Sequence, residues 1–125
     1  MSTRCQVMVT DGRVKLTLYH HTDGYPEYMV PTIRKAFDTY CQGWEGNRVY
    51  KVASALCAVD PLVFEPLDYH ELHSDIEFYY VVTILPNGGF VGEVVRWLVE
   101  VYEEWDHRGV PAGNPTSVEE WTSKK

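Results

Sequence analysis

The chain has 125 residues, 45% of them hydrophobic and 23% charged, with a formal net charge of −7. That size and balance describe one ordinary globular domain and exclude a disordered segment or two domains of usual size. The negative charge repels phosphate and disfavours nucleic-acid binding, since Arg13 and Lys15, Arg34 and Lys35, and Arg48 and Lys51 are separate pairs that form no basic stripe.

Residues 4–10 and 13–20 predict a β-hairpin. Cys5, Val7 and Val9 alternate with Gln6, Met8 and Thr10, and Val14, Leu16 and Leu18 alternate with Lys15, Thr17 and Tyr19. Asp11-Gly12 between them accepts the positive φ angles of a two-residue turn. The stretch from His20 to Pro26 reads as a loop from its Asp-Gly and Pro content. A helix then extends to about Gln42, with Met29, Ile33, Phe37, Tyr40 and Cys41 on one face. Pro31 fits a first turn, which predicts that the regular helix starts near Val30, and Gly43 is its natural stop.

A second helix from Arg48 to Val59 places Val49, Val52, Ala53, Leu56 and Cys57 on one stripe. Asn47 is positioned to cap it, and Asp60-Pro61 ends it. Val63-Phe64 reads as a short strand that Pro61 and Pro66 confine to an edge or a loop. Asp75 to Leu85 predicts a strong strand, with Ile76, Phe78, Tyr80, Val82 and Ile84 on one face. Between Phe90 and Trp105 the polar residues recur at helical spacing while five valines prefer a strand, and the strand reading is favoured. Ser117-Val-Glu-Glu120 is a capping-box pattern, which predicts a short terminal helix docking Trp121.

Together these elements predict an α+β fold: an antiparallel sheet with an N-terminal β-hairpin and two helices packed on one face. Residues 1–108 form the domain in this reading, and 109–125 an irregular tail. The segment around Arg4 and Asp11 has no apolar signal-peptide core, and no apolar run reaches the length of a membrane span. Both point to a cytoplasmic protein.

Chemistry-bearing residues cluster in two places. His20-His21 has Asp23 and Glu27 after it, and His70-x-x-His73 has Glu71, Asp75 and Glu77 around it. Imidazole with carboxylate suits a divalent metal, and His21, Asp23, His73 and Asp75 would hold one if their strands adjoin. Glu77 or Glu27 would then take a proton from metal-bound water. The purely structural reading, in which these groups cap turns or face solvent, is the commoner outcome for such spacing. Asp23-Gly24-Tyr25-Pro26 is either a rigid entry to the helix or a loop presenting His21 and Tyr25 to a ligand. Tyr79 points away from Ile76 and Phe78, so its face needs a helix, a partner subunit or a ligand. Cys5, Cys41 and Cys57 form no CxxC, which excludes a zinc ribbon, and no serine lies in a G-x-S-x-G setting.

Three segments occur in register: Thr3-Arg4-Cys5, His21-x-Asp23-Gly24-Tyr25-Pro26, and His73-Ser74-Asp75-Ile76-Glu77-Phe78. Together they resemble a set of small uncharacterised bacterial and phage proteins with the motifs TRC, HxDGYP and HGDIEY and a closing strand that ends in Tyr-Glu. Val101-Tyr102-Glu103 corresponds to that close, while Ser74 stands where Gly, and Phe78 where Tyr, is usual in the set. The resemblance implies a prokaryotic or phage origin and no particular activity.

Two readings of function follow. In the first the chain is a non-enzymatic binding or regulatory accessory protein, recognising a protein partner or a small ligand. A homodimer through an exposed sheet face with Tyr79, Val81 and Trp97 would fit it. In the second it is a metal-dependent hydrolase built on the His/Asp cluster. The ligand-contacting residues under either are drawn from His21, Asp23, Tyr25, His73, Asp75, Glu77 and Tyr79.

Overall fold

The structure, a computed structural model, describes residues 3–61, 63–67, 75–86 and 94–123. Strand β1 (Arg4–Thr10) turns into β2 (Lys15–His20), and two helices follow, α1 (Pro26–Tyr40) and α2 (Val49–Val59), joined through a 3-10 turn over Trp44–Asn47. Strands β3 (Phe64–Pro66), β4 (Ile76–Ile84), β5 (Arg96–Tyr102) and β6 (Ser117–Thr122) complete the fold. The six strands of the described residues form one sheet, in the order β3-β2-β1-β4-β5-β6.

The α+β class and the N-terminal hairpin hold, but the sheet is mixed, because β1 and β4 pair in parallel. The cause lies in β1 itself. From Cys5 to Thr10 every residue is buried, polar Gln6 included, so both faces and both edges of β1 must be covered. The hairpin supplies one neighbour. The two helices return the chain to the end of the sheet it left, since β3 begins opposite His20. A strand starting from that end beside β1 must run in the direction of β1, and β4 does, with Arg4 facing Ile76.

One face of the sheet carries Cys5, Val7, Val9, Leu18, Tyr80, Val82, Trp97, Val99 and Val101, and packs on Met29, Ile33, Phe37, Val52 and Leu56 of the helices. At about 25 cal/mol per Å² of buried apolar surface, each of these side chains contributes on the order of 1.5–3 kcal/mol against the entropy of ordering the chain. The other face holds a smaller cluster of Met8, Tyr19, Ile76 and Tyr79, with Tyr102 and Trp105 against it. Ile76 does not line the helix face as its spacing predicts. The β1–β4 register slips by one residue, Arg4 facing Ile76 and Cys5 facing Phe78, so Glu77 is an extra residue and Ile76 joins the second face.

Several boundaries differ from expectation. The hairpin loop spans 11–14 rather than two residues: Thr10 pairs with Lys15, and Asp11 Oδ1 accepts the amides of Arg13 (2.9 Å) and Val14 (2.8 Å). Helix α1 starts at Pro26 and contains Pro31. Pro26 presets φ at the first helical position, so initiation precedes Pro31, and Thr32 Oγ1 donates to the Tyr28 carbonyl (2.7 Å) beside the break in the hydrogen-bond ladder. Asn47 is not the cap of α2; Arg48 occupies that position and no side chain caps the helix.

The largest departure is at the C-terminus. Residues 117–122 are strand β6, paired along β5 from Val101–Ser117 to Arg96–Thr122, so the expected irregular tail with a terminal helix is the sixth strand of the sheet. The capping-box spacing yields to tertiary demand: β5 needs an outer neighbour, and in the strand Trp121 reaches Trp97 and Phe37. The proposed dimer face does not exist as drawn. Trp97 (0% exposed) faces the helices and Tyr79 (1%) is buried on the opposite face, so the two residues share no exposed surface.

Candidate functional site

At the end of the sheet where β1 and β4 begin, several of the sequence-predicted residues do meet. The Tyr19 hydroxyl donates to Asp75 (2.9 and 3.1 Å), and Arg4 Nε lies 3.3 Å from the same carboxylate. The His21 ring packs edge-on to Tyr19 at 4.7 Å, and its Nε2 is 3.1 Å from Glu65. Burial, reinforced by the Asp75 carboxylate, pushes the Tyr19 hydroxyl up to about 12. Each group here is therefore engaged with a protein partner. Asp23 sits at φ 53 and accepts from the Tyr25 hydroxyl (3.3 Å), not from this cluster. Glu77 is the exposed bulge residue, and Tyr79 lies buried beside Thr17 and Gln6. His70, Glu71, His73 and Ser74 lie outside the described residues, and among the described residues no three His, Cys, Asp or Glu side chains are grouped to hold a metal.

Gly24 of the DGYP segment has a structural role. The Gly24 amide donates to Thr3 O (2.8 Å), and its carbonyl accepts the buried Tyr80 hydroxyl at 2.6 Å. A Cβ at Gly24 would come within 2.9 Å of Arg4 C and of Cys5 N and Cβ, so only glycine lets the loop lie this close to β1. Tyr25 and Pro26 then start α1. His20, which sequence reasoning passed over for His21, is fully buried: its Nε2 bonds Asp60 Oδ2 (2.8 Å), which also accepts the Tyr28 hydroxyl (3.0 Å). This cluster ties β2, α1 and the end of α2 together.

A different site lies at the opposite end of the sheet. There a cleft of about 510 Å³ is lined by Asp11, Trp44, Asn47, Arg48, Ile84, Leu85 and Pro86. Its position follows from topology. Parallel neighbours β1 and β4 end side by side, Thr10 against Thr83, and their onward chains diverge, β1 turning to β2 on one side and β4 leading to β5 on the other. Parallel strands whose connections part in opposite directions leave a crevice beyond their carboxyl ends, a frequent place for ligands.

The 3-10 turn forms the far wall. It is held by the Trp97 indole, whose Nε1 donates to the Gly46 carbonyl at 2.8 Å, and Gly46 has no Cβ because the Cys41 carbonyl and Val95 Cγ1 occupy that space. Asn47 Nδ2 reaches the Val94 carbonyl (3.4 Å). Trp44, thus positioned, stays 46% exposed, with the Arg48 guanidinium 5.9 Å and the Lys51 ammonium 5.6 Å from its ring centre. Sequence reasoning missed this wall. Its signal was the spacing Trp44-x3-Arg48-x2-Lys51, which puts two cations on one aromatic across a turn of helix.

No protein-family model, curated protein or solved structure matches this chain. Among the described residues no helix is long and apolar enough to cross a membrane.

Proposed function

We propose that this chain is a non-enzymatic small-ligand-binding protein, an accessory or regulatory factor of bacterial or phage origin, and that its ligand occupies the cleft between Trp44 and the end of β4. The observation that carries the reading is the cleft itself. Its volume of about 510 Å³ falls within the range of small-molecule sites, and a largely apolar wall (Trp44, Ile84, Leu85, Pro86) is set with few polar groups (Asp11, Asn47, Arg48). An exposed indole on a wall that two buried contacts hold in place is a pre-organised surface, and ordering it again on binding costs little.

At the other end of the sheet the described groups are taken up with one another. Asp75, His21 and Glu65 satisfy one another or their neighbours, and the thiols of Cys5, Cys41 and Cys57 are all raised by burial, which suppresses the nucleophilic thiolate. The test is a titration of ¹⁵N-labelled protein with a mixture of small, soluble aromatic and aliphatic fragments, followed by amide and indole NMR shifts. Shifts are expected at the Trp44 indole and at Asn47, Ile84 and Leu85. Shifts confined to the His21–Asp75 end, or none at all, would overturn the reading.

A further inference from the structure

Resting on that reading, we infer that the cleft selects a planar aromatic or heteroaromatic ring carrying a single anionic group, the chemistry of a mononucleotide or of an aromatic carboxylate. Arg48 and Lys51 belong to a chain in which 18 carboxylates outnumber 11 Lys and Arg, so acidic partners are plentiful. Arg4, Arg34, Arg96 and Arg108 each take one. Among the described residues the side chains of Arg13, Lys15, Lys35, Arg48 and Lys51 take none, and of these Arg48 and Lys51 lie over the same exposed indole beside the cleft. Two like charges converging on one ring repel each other, and an anion placed between them removes that cost.

The local helix adds to the field. Arg48 is the cap of α2 and Lys51 lies in its first turn, which holds no acidic residue. Cations at a helix N-terminus oppose the macrodipole, so this end of the cleft is more positive than either charge alone would make it.

The remaining wall limits the ligand. Trp44 offers a face for stacking, and Ile84, Leu85 and Pro86 an apolar bed for the ring's other side. Asp11 lines the same cleft with its Oδ1 committed to the hairpin turn, so the carboxylate repels a second anionic group while it accepts from a ring N–H. One anion beside Arg48 is favoured, and a polyphosphate reaching toward Asp11 is not.

The experiment follows the Trp44 indole resonance while the intact protein is titrated separately with AMP, adenosine, ATP, inorganic phosphate and phenylacetate. Expected is saturable binding of AMP or phenylacetate at least tenfold tighter than adenosine, phosphate or ATP, and the stronger of the two identifies the source. R48Q/K51Q is expected to weaken that binding at least tenfold, and W44L, followed through the Asn47, Ile84 and Leu85 amides because it lacks the indole, to abolish it, with melting temperatures close to wild type because all three side chains are exposed. Equal binding of AMP and adenosine, tighter binding of ATP, or an unchanged affinity in R48Q/K51Q overturns this inference. The cleft reading survives those results if neutral fragments still shift Trp44. No binding by any probe together with no fragment shifts at the cleft overturns both.

Discussion

Gly46 is the point at which packing and the binding wall are the same object, so Gly46→Ala should damage both. The added methyl lands on the Cys41 carbonyl and on Val95 Cγ1. Neither gives way easily: Cys41 is buried with its amide bonded to Phe37 O (3.1 Å), and the Val95 amide is bonded to Ser123 Oγ (3.0 Å). The turn must move instead, and with it the carbonyl that satisfies the Trp97 indole. Overpacking costs about 1–3 kcal/mol, and a buried N–H left without its acceptor about 1–3 kcal/mol more. A loss of about 2–6 kcal/mol is a large part of the 5–15 kcal/mol typical of a domain, so the variant is expected to fold but melt early. At this chain length each kcal/mol moves Tm by on the order of 4 °C, which puts the fall at about 8–24 °C.

Thermal unfolding followed by far- and near-ultraviolet circular dichroism reads that fall, and Trp97→Phe is the companion. It removes the indole donor without a clash at the turn, but it also deletes part of a fully buried ring, so it should melt early as well while leaving the Cys41 and Val95 contacts with the turn unstrained. In Gly46→Ala, fragment-induced shifts at Trp44 should also disappear at temperatures where the protein is still folded. A Gly46→Ala protein melting within about 2 °C of wild type would show that the close approach is not tight, and that the wall is not held in the way described.

Other consequences can be checked singly. Tyr80→Phe deletes the donor to the Gly24 carbonyl (2.6 Å) and leaves that carbonyl buried. The urea midpoint should fall by the equivalent of about 1–3 kcal/mol with an unchanged m value, and an unchanged midpoint would mean that the loop is not anchored there. Alkaline pH should destabilise the fold, because burial and then Asp75 raise Tyr19 from 10.0 to about 12. Between those values the folded state keeps a proton the unfolded state has lost, so the Tyr19 contribution is intact below pH 10 and is lost as pH rises toward 12, on top of the loss from the buried thiols that starts near pH 9. Tyr19→Phe should flatten that part of a pH series of urea unfolding curves, and an identical slope would refute the assignment. Zinc and manganese should leave Tm unchanged, since His21, Asp75 and Asp23 each already hold a protein partner. A metal-dependent rise that His21→Ala removes would restore the hydrolase reading.

Much of the fold was legible because its signals are local. Alternation in β1 and β2, helical spacing in α1 and α2, and the β-branched run of β4 each follow from residues a few positions apart. Pro61 and Pro66 confined the short strand at Val63-Phe64 to an edge or a loop, and β3 lies at an edge. What escaped is what depends on distant partners. The parallel pairing of β1 and β4 comes from the two-sided burial of β1, and composition alone does not separate a two-faced strand from a one-faced strand when Gln6 interrupts its pattern. The bulge at Glu77 is a property of register between two strands, invisible in either one. In β6, Ser117 and Glu120 kept a helix-start spacing while the free edge of β5 and the contact of Trp121 with Trp97 decided for a strand.

The cleft stayed out of sight in the sequence for a related reason. Histidine and carboxylate side chains announce chemistry in a sequence, so attention fell on His21, Asp23 and Asp75, and the fold does gather His21 and Asp75 through Tyr19. Yet partners that satisfy each other have little left for a ligand. At the cleft the opposite holds. Trp44, Arg48 and Lys51 look in sequence like an exposed aromatic and a scattered basic pair, and their meaning depends on β1 and β4 being parallel and ending together. Once that is so, Asp11 from a hairpin turn, Ile84 from a strand end and Arg48 from a helix start, remote in the chain, line one crevice. That is where the cleft proposed as the ligand site gets its exposed indole and its two cations.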